Sequence, residues 1–122
     1  MNIEEIVQYW LNTADEDWQV AQHLFESKDY AYALFFGHLY LEKVLKALVV
    51  RRTQAQAPFT HSLLRLAREG GLSLTAEQED LLDRATTYNL EARYPSERLA
   101  FKRRCTREFC ESELKLIEEM GR

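Results

Sequence analysis

The chain has 122 residues, enough for one domain that buries roughly two-thirds of the surface its unfolded form exposes. Hydrophobic residues make up 46% and charged residues 30%, a balance that excludes intrinsic disorder and collagen-like sequence. With 16 Lys and Arg against 20 Asp and Glu the net charge is -4, so overall charge does not mark a nucleic-acid binder. Four Gly and two Pro are too few for a sandwich or barrel of many short strands.

Ile3, Ile6, Val7, Trp10, Leu11, Ala14, Trp18, Ala21, Leu24 and Phe25 recur every three or four positions and predict an amphipathic helix over about 3–27. Ser27-Lys28-Asp29 is a short connection, so a second helix, about 30–52, is expected to return antiparallel. That helix is apolar around most of its circumference, with Ala33, Phe36, Tyr40, Val44 and Ala47 on one side and Leu34, Leu41, Leu45 and Leu48 on another. It must be enclosed, at the centre of a bundle or between two subunits. Residues 53–59 lack periodicity and contain Pro58, which predicts a loop. Thr60 is expected to cap a short helix over 61–69 that Gly70-Gly71 ends. Thr75 and Gln78 have capping-box spacing for a fourth helix, about 76–91, with Gln78, Leu81, Leu82, Ala85 and Tyr88 inward. Pro95 stops it, and Ser96 is expected to cap a last helix to about Met120. The reading is a single all-α domain over 1–122, an up-and-down helical bundle of four long helices plus one short helix.

Two Cys give no disulfide framework, and the first residues lack the basic and apolar regions of a secretory signal. The longest run free of Asp, Glu, Lys and Arg, residues 30–41, has 12 residues, whereas a membrane span needs about 20. A cytoplasmic protein with no membrane partner is expected.

The segment Trp10 to Val50, with Ala14-Asp15, Asp17-Trp18, Asp29-Tyr30-Ala31, Phe35-Phe36 and Leu41-Glu42-Lys43-Val44-Leu45-Lys46-Ala47-Leu48, resembles the HEPN domain family. Thr60-His61-Ser62-Leu63 and Glu91-Ala92-Arg93-Tyr94-Pro95-Ser96 are similar to a prokaryotic branch of it, associated with minimal nucleotidyltransferases. The resemblance covers nearly the whole chain and implies a helical bundle, usually a homodimer. It also implies a place beside a separate small nucleotidyltransferase, either as a nucleotide- or substrate-binding partner or as half of a toxin–antitoxin pair. Other members of the family are metal-independent ribonucleases that use an Arg followed by a His after four to six intervening residues. Arginine would hold phosphate and histidine would move a proton. Here only Arg51 and Arg52 precede a histidine, with nine and eight residues before His61, and no His follows Arg93. The ribonuclease signature is therefore absent, and no catalytic residue is assigned.

Charge placement singles out one segment. Residues 93–107 hold six basic side chains and one acidic, whereas residues 1–29 hold seven acidic and one basic. Arg98 and Lys102 are i,i+4 neighbours, as are Arg103 and Arg107, and Arg98 stands in the first turn of its helix, where the helix dipole disfavours cations. One reading neutralises this cluster with Asp15, Glu16, Asp17 or Glu26 of the first helix. The other gives it a nucleotide or another phosphate-bearing ligand, ahead of RNA. On that reading Arg93, Arg98, Lys102 and Arg103 supply the positive field, Tyr94 stacks on a base, and Tyr88 lines the same pocket.

Elsewhere Glu42 and Lys46 are correctly ordered for an i,i+4 ion pair, and His61 reads as a surface or capping residue. His38 and Glu42 share a face but supply only two ligands, and Cys105 and Cys110 project in different directions, so neither a metal nor another cofactor is expected. Three functions remain open: a binding subunit for a nucleotidyltransferase, a ribonuclease toxin, and a dimeric protein-interaction module.

Overall fold

The computed structural model describes residues 2–121, which form six α-helices: α1 (Ile3–Glu26), α2 (Tyr30–Thr53), α3 (Leu63–Glu69), α4 (Ala76–Thr86), α5 (Pro95–Arg104) and α6 (Arg107–Met120), with a 3-10 turn at Leu90–Ala92. α1 starts where the Asn2 side chain accepts the Glu5 amide at 2.8 Å. It ends in both bonds of a Schellman motif, the Asp29 amide to the Leu24 carbonyl and the Lys28 amide to that of Phe25, with Lys28 left-handed at φ 66°. This tight reversal lays α2 antiparallel against α1, and the fully buried Ala14 and Ala21 put no bulk between them.

α2 is the central helix and packs against all five of the others. Leu34, Leu41, Leu45, Val49 and Val50 are buried on it, which explains its apolar circumference within a single subunit. Gly37 lets α6 approach: a Cβ there would stand 3.2 Å from side-chain carbons of both Leu114 and Ile117. Among the described residues no helix is long and apolar enough to cross a membrane.

Four boundaries differ from the sequence expectation. The expected last helix is two helices, because Cys105 leaves helical geometry (ψ 81°) and Thr106 starts α6 afresh by accepting the Phe109 amide at 3.1 Å. The fourth helix keeps its Thr75–Gln78 capping box but ends at Thr86 rather than near residue 91. There the hydroxyls of Thr86 and Thr87 bond back to the Leu82 and Arg84 carbonyls, and Asn89 accepts the Glu91 amide to set up the 3-10 turn. Ser62, not Thr60, caps α3, and Tyr94, not Ser96, precedes α5, whose first residue is Pro95.

Candidate functional site

α5 carries the cationic cluster and is fastened through Phe101, its one buried residue. The Arg93 guanidinium lies 4.9 Å from the centre of that ring and the Arg104 guanidinium 5.7 Å from it. Arg98 donates from Nε to the Arg93 carbonyl at 3.3 Å, which ties the loop before α5 to its first turn. The Lys102 ammonium sits 5.1 Å above the Tyr32 ring at the start of α2. Together Tyr32, Leu90, Pro95, Arg98, Leu99 and Lys102 surround a hollow of about 350 Å³.

Neutralisation by the first helix, one of the two readings, is not found among the described residues. Asp17 pairs with Lys43 at 2.6 Å, and Glu4 faces Arg51 at 3.9 Å. Among the described residues Arg93, Arg98, Lys102, Arg103 and Arg104 have no carboxylate within 4.0 Å, whereas Arg107 has an exposed one, Glu111, at 4.0 Å. The structure thus brings Arg98 and Lys102 together around one hollow, while Arg93 lies over the Phe101 ring and is not part of its lining. Arg103 is exposed on the same helix, and Tyr94 is 75% exposed at the rim of the cluster. Tyr88 cannot line the pocket, because it is fully buried, stacked on Phe101 at 5.3 Å, with its hydroxyl donating to Glu113.

A second polar group was not anticipated as a unit. The Glu42 side chain is only 7% exposed, yet it holds Lys46 at 3.1 Å through Oε2 and His61 Nδ1 at 2.8 Å through Oε1. His38 lies one turn earlier, its Nε2 3.6 Å from the same Oε1 and its ring fully buried. Burial holds the His38 imidazole below its usual pKa, against the opposing pull of the Glu42 carboxylate and the His61 main chain. The signal available in the sequence was three polar residues, His38, Glu42 and Lys46, one per turn on an otherwise apolar helix. The contribution of His61, 19 residues away from Glu42, depends on the path of the intervening loop.

Other chemistry is weakly supplied. Burial pushes the thiols of Cys105 and Cys110 up to about 11 and about 12, so neither is a ready nucleophile. Among the described residues no three His, Cys, Asp or Glu side chains are grouped to hold a metal ion. His61 has a carboxylate partner, and among the described residues no arginine is an ion-pair or hydrogen-bond partner of His38 or His61.

Known proteins share this architecture. The model of the HEPN domain matches residues 7–121. The structure is similar to the crystal structure of TT1696 from Thermus thermophilus, with a TM-score of 0.80 and 26% sequence identity, over 99% of this chain and 94% of that one. No curated protein matches the sequence.

Proposed function

The chain belongs to the HEPN domain family, and from that premise we propose that it is a non-catalytic subunit holding a nucleotide or another phosphate-bearing substrate for a separate small nucleotidyltransferase. The observation that supports this reading is a set of five cations at positions 93–104 without carboxylate partners among the described residues, two of which, Arg98 and Lys102, border a hollow. Arg98 and Lys102 border the hollow, where a planar guanidinium and a mobile ammonium would hold phosphate oxygens. Tyr32, Pro95 and Leu99 offer an apolar and partly aromatic wall to a base. A homodimer and membership of a toxin–antitoxin pair are parts of the same proposal and rest on family likeness. The separation of arginine from histidine, with His61 engaged by Glu42, favours binding over RNA cleavage.

The test is calorimetric titration of the protein with mono-, di- and triphosphate nucleotides, repeated on an Arg98→Ala, Lys102→Ala double variant. Binding is expected to weaken by about tenfold or more in the variant, the loss typical of a charged hydrogen bond. It is also expected to weaken as salt is raised. No binding of any nucleotide at millimolar concentration refutes the reading.

A further inference from the structure

A second concavity, of about 480 Å³, lies between the first half of α1 and the loop that leads to α3. Its principal walls are Ile6, Tyr9 and Trp10 from the helix, Pro58 and Phe59 from the loop, and Lys46 from α2. Lys46 and Tyr32 are 14 positions apart on one helix, about 21 Å along its axis at 1.5 Å per residue, so this groove is separate from the α5 hollow. Phe59 is fully exposed and Tyr9 more than half exposed, an unusual cost for two aromatic rings that border the same space. Trp10 presents its edge-to-face partner Tyr9 at 5.4 Å and carries the Lys46 ammonium 5.1 Å from its ring.

Lys46 is the one charged group among the described lining residues, and the rest are apolar or aromatic apart from the amide of Gln56. Its position is fixed from behind. Glu42 takes one of the three ammonium donors through Oε2, while its other oxygen takes His61 at the end of the loop that forms the opposite wall. One buried carboxylate therefore fastens both sides of the groove, the cation on α2 and the loop carrying Phe59. The space is built before any ligand arrives, which lowers the ordering cost of binding.

We infer that this groove is a binding site for a small apolar or aromatic carboxylate, with the ring packed among Trp10, Tyr9 and Phe59 and the carboxylate on Lys46. A cavity of this size is in the range of small-molecule sites, about 300–1,000 Å³. Glu42 already balances the Lys46 charge, but the ammonium donors it leaves seek an oxygen acceptor, strongest in a carboxylate, and give a cationic ligand no partner. This site stands independently of the phosphate-binding proposal for α5.

The probe is 4-phenylbutyrate, compared with 4-phenylbutanol and 4-phenylbutylamine, read through tryptophan emission. The chain has two tryptophans, and Trp18 packs on Tyr40 away from the groove, so a Trp18→Phe background makes Trp10 the reporter. Saturable change with the acid is expected at low millimolar concentration or below, about tenfold weaker with the alcohol, and none with the amine. Lys46→Met should erase the difference between acid and alcohol, Lys46→Arg should keep it, and Phe59→Ser should weaken both. Equal responses to all three compounds, or none to the acid at 10 mM (about the limit of a useful site), overturn the proposal. Emission that follows protein dilution and ignores the acid also overturns it, because a second copy then covers the groove. The Lys46→Arg and Phe59→Ser results keep the test decisive should Lys46→Met fail to fold.

Discussion

Glu42 and Glu113 are both buried carboxylates on helices of one small bundle, yet their partners give them opposite characters. Glu113, on α6, receives Arg84 of α4 through two bonds, from Nε at 2.9 Å and Nη2 at 3.1 Å, and the Tyr88 hydroxyl as well. Arginine stays charged, and burial with the adjacent carboxylate pushes the Tyr88 phenol up, so neither of these two partners changes protonation near neutrality. Glu42 is held by a lysine and an exposed histidine, with a second, buried histidine one turn away. The same residue type is a fixed strut in one place and the centre of a titratable group in the other. The chemistry of the partner, rather than burial, makes the difference.

Removing each carboxylate tests that contrast. Glu113→Ala strands a guanidinium and a buried phenol, and a loss of about 3 kcal/mol is expected, the lower end for a broken buried pair because Arg84 can still turn toward water. Urea unfolding would measure it, and the loss should be nearly the same from pH 5 to 8. Glu42→Ala should cost about 2 kcal/mol by the same measurement, since Lys46 and His61 both have routes to solvent. A larger loss at Glu42 than at Glu113 would reverse the ranking.

The smallest effect concerns pH. The folded-state pKa of His38 is lowered beneath its ordinary 6.5, so the fold prefers the neutral ring. Stability from this group is complete above pH 6.5 and falls as the pH drops from there toward the folded value, where the unfolded chain binds the extra proton. Glu42, Lys46 and His61 are the charged or titratable groups that face it. The wild-type urea midpoint should therefore decline between pH 6.5 and 5, and His38→Gln should flatten that decline. An unchanged slope in His38→Gln would assign the acid sensitivity to another group.

Local rules carried much of this structure. The three-and-four spacing of Ile3 to Phe25 located α1 to within a residue at its end, and Thr75 with Gln78 marked the start of α4. The break at Cys105 was hidden because Phe101, Cys105 and Phe109 keep a four-residue spacing across it, and Thr106 can serve as a cap or as an ordinary helical residue. Candidate site residues were legible as charge, which a count along the chain reveals, but not as geometry. Tyr88 looked like a pocket residue by proximity to Arg93, whereas its ring is drawn inward by Phe101 and Glu113, the latter 25 positions away. Glu113 itself sits among acidic neighbours on α6, and nothing in its own helix announces that Arg84 will reach it.

The attachment of α5 has a consequence for motion. A ten-residue helix with one buried side chain, and with its following residue already out of helical geometry, is expected to open as its own small unit of cooperativity. Its amide hydrogens are expected to exchange through a local opening that leaves α2 closed, so the cations would ride on a lightly anchored segment. An anion bridging Arg98 and Lys102 would slow that exchange without touching the rest of the bundle, and deuterium uptake along α5 becomes a built-in gauge of occupancy.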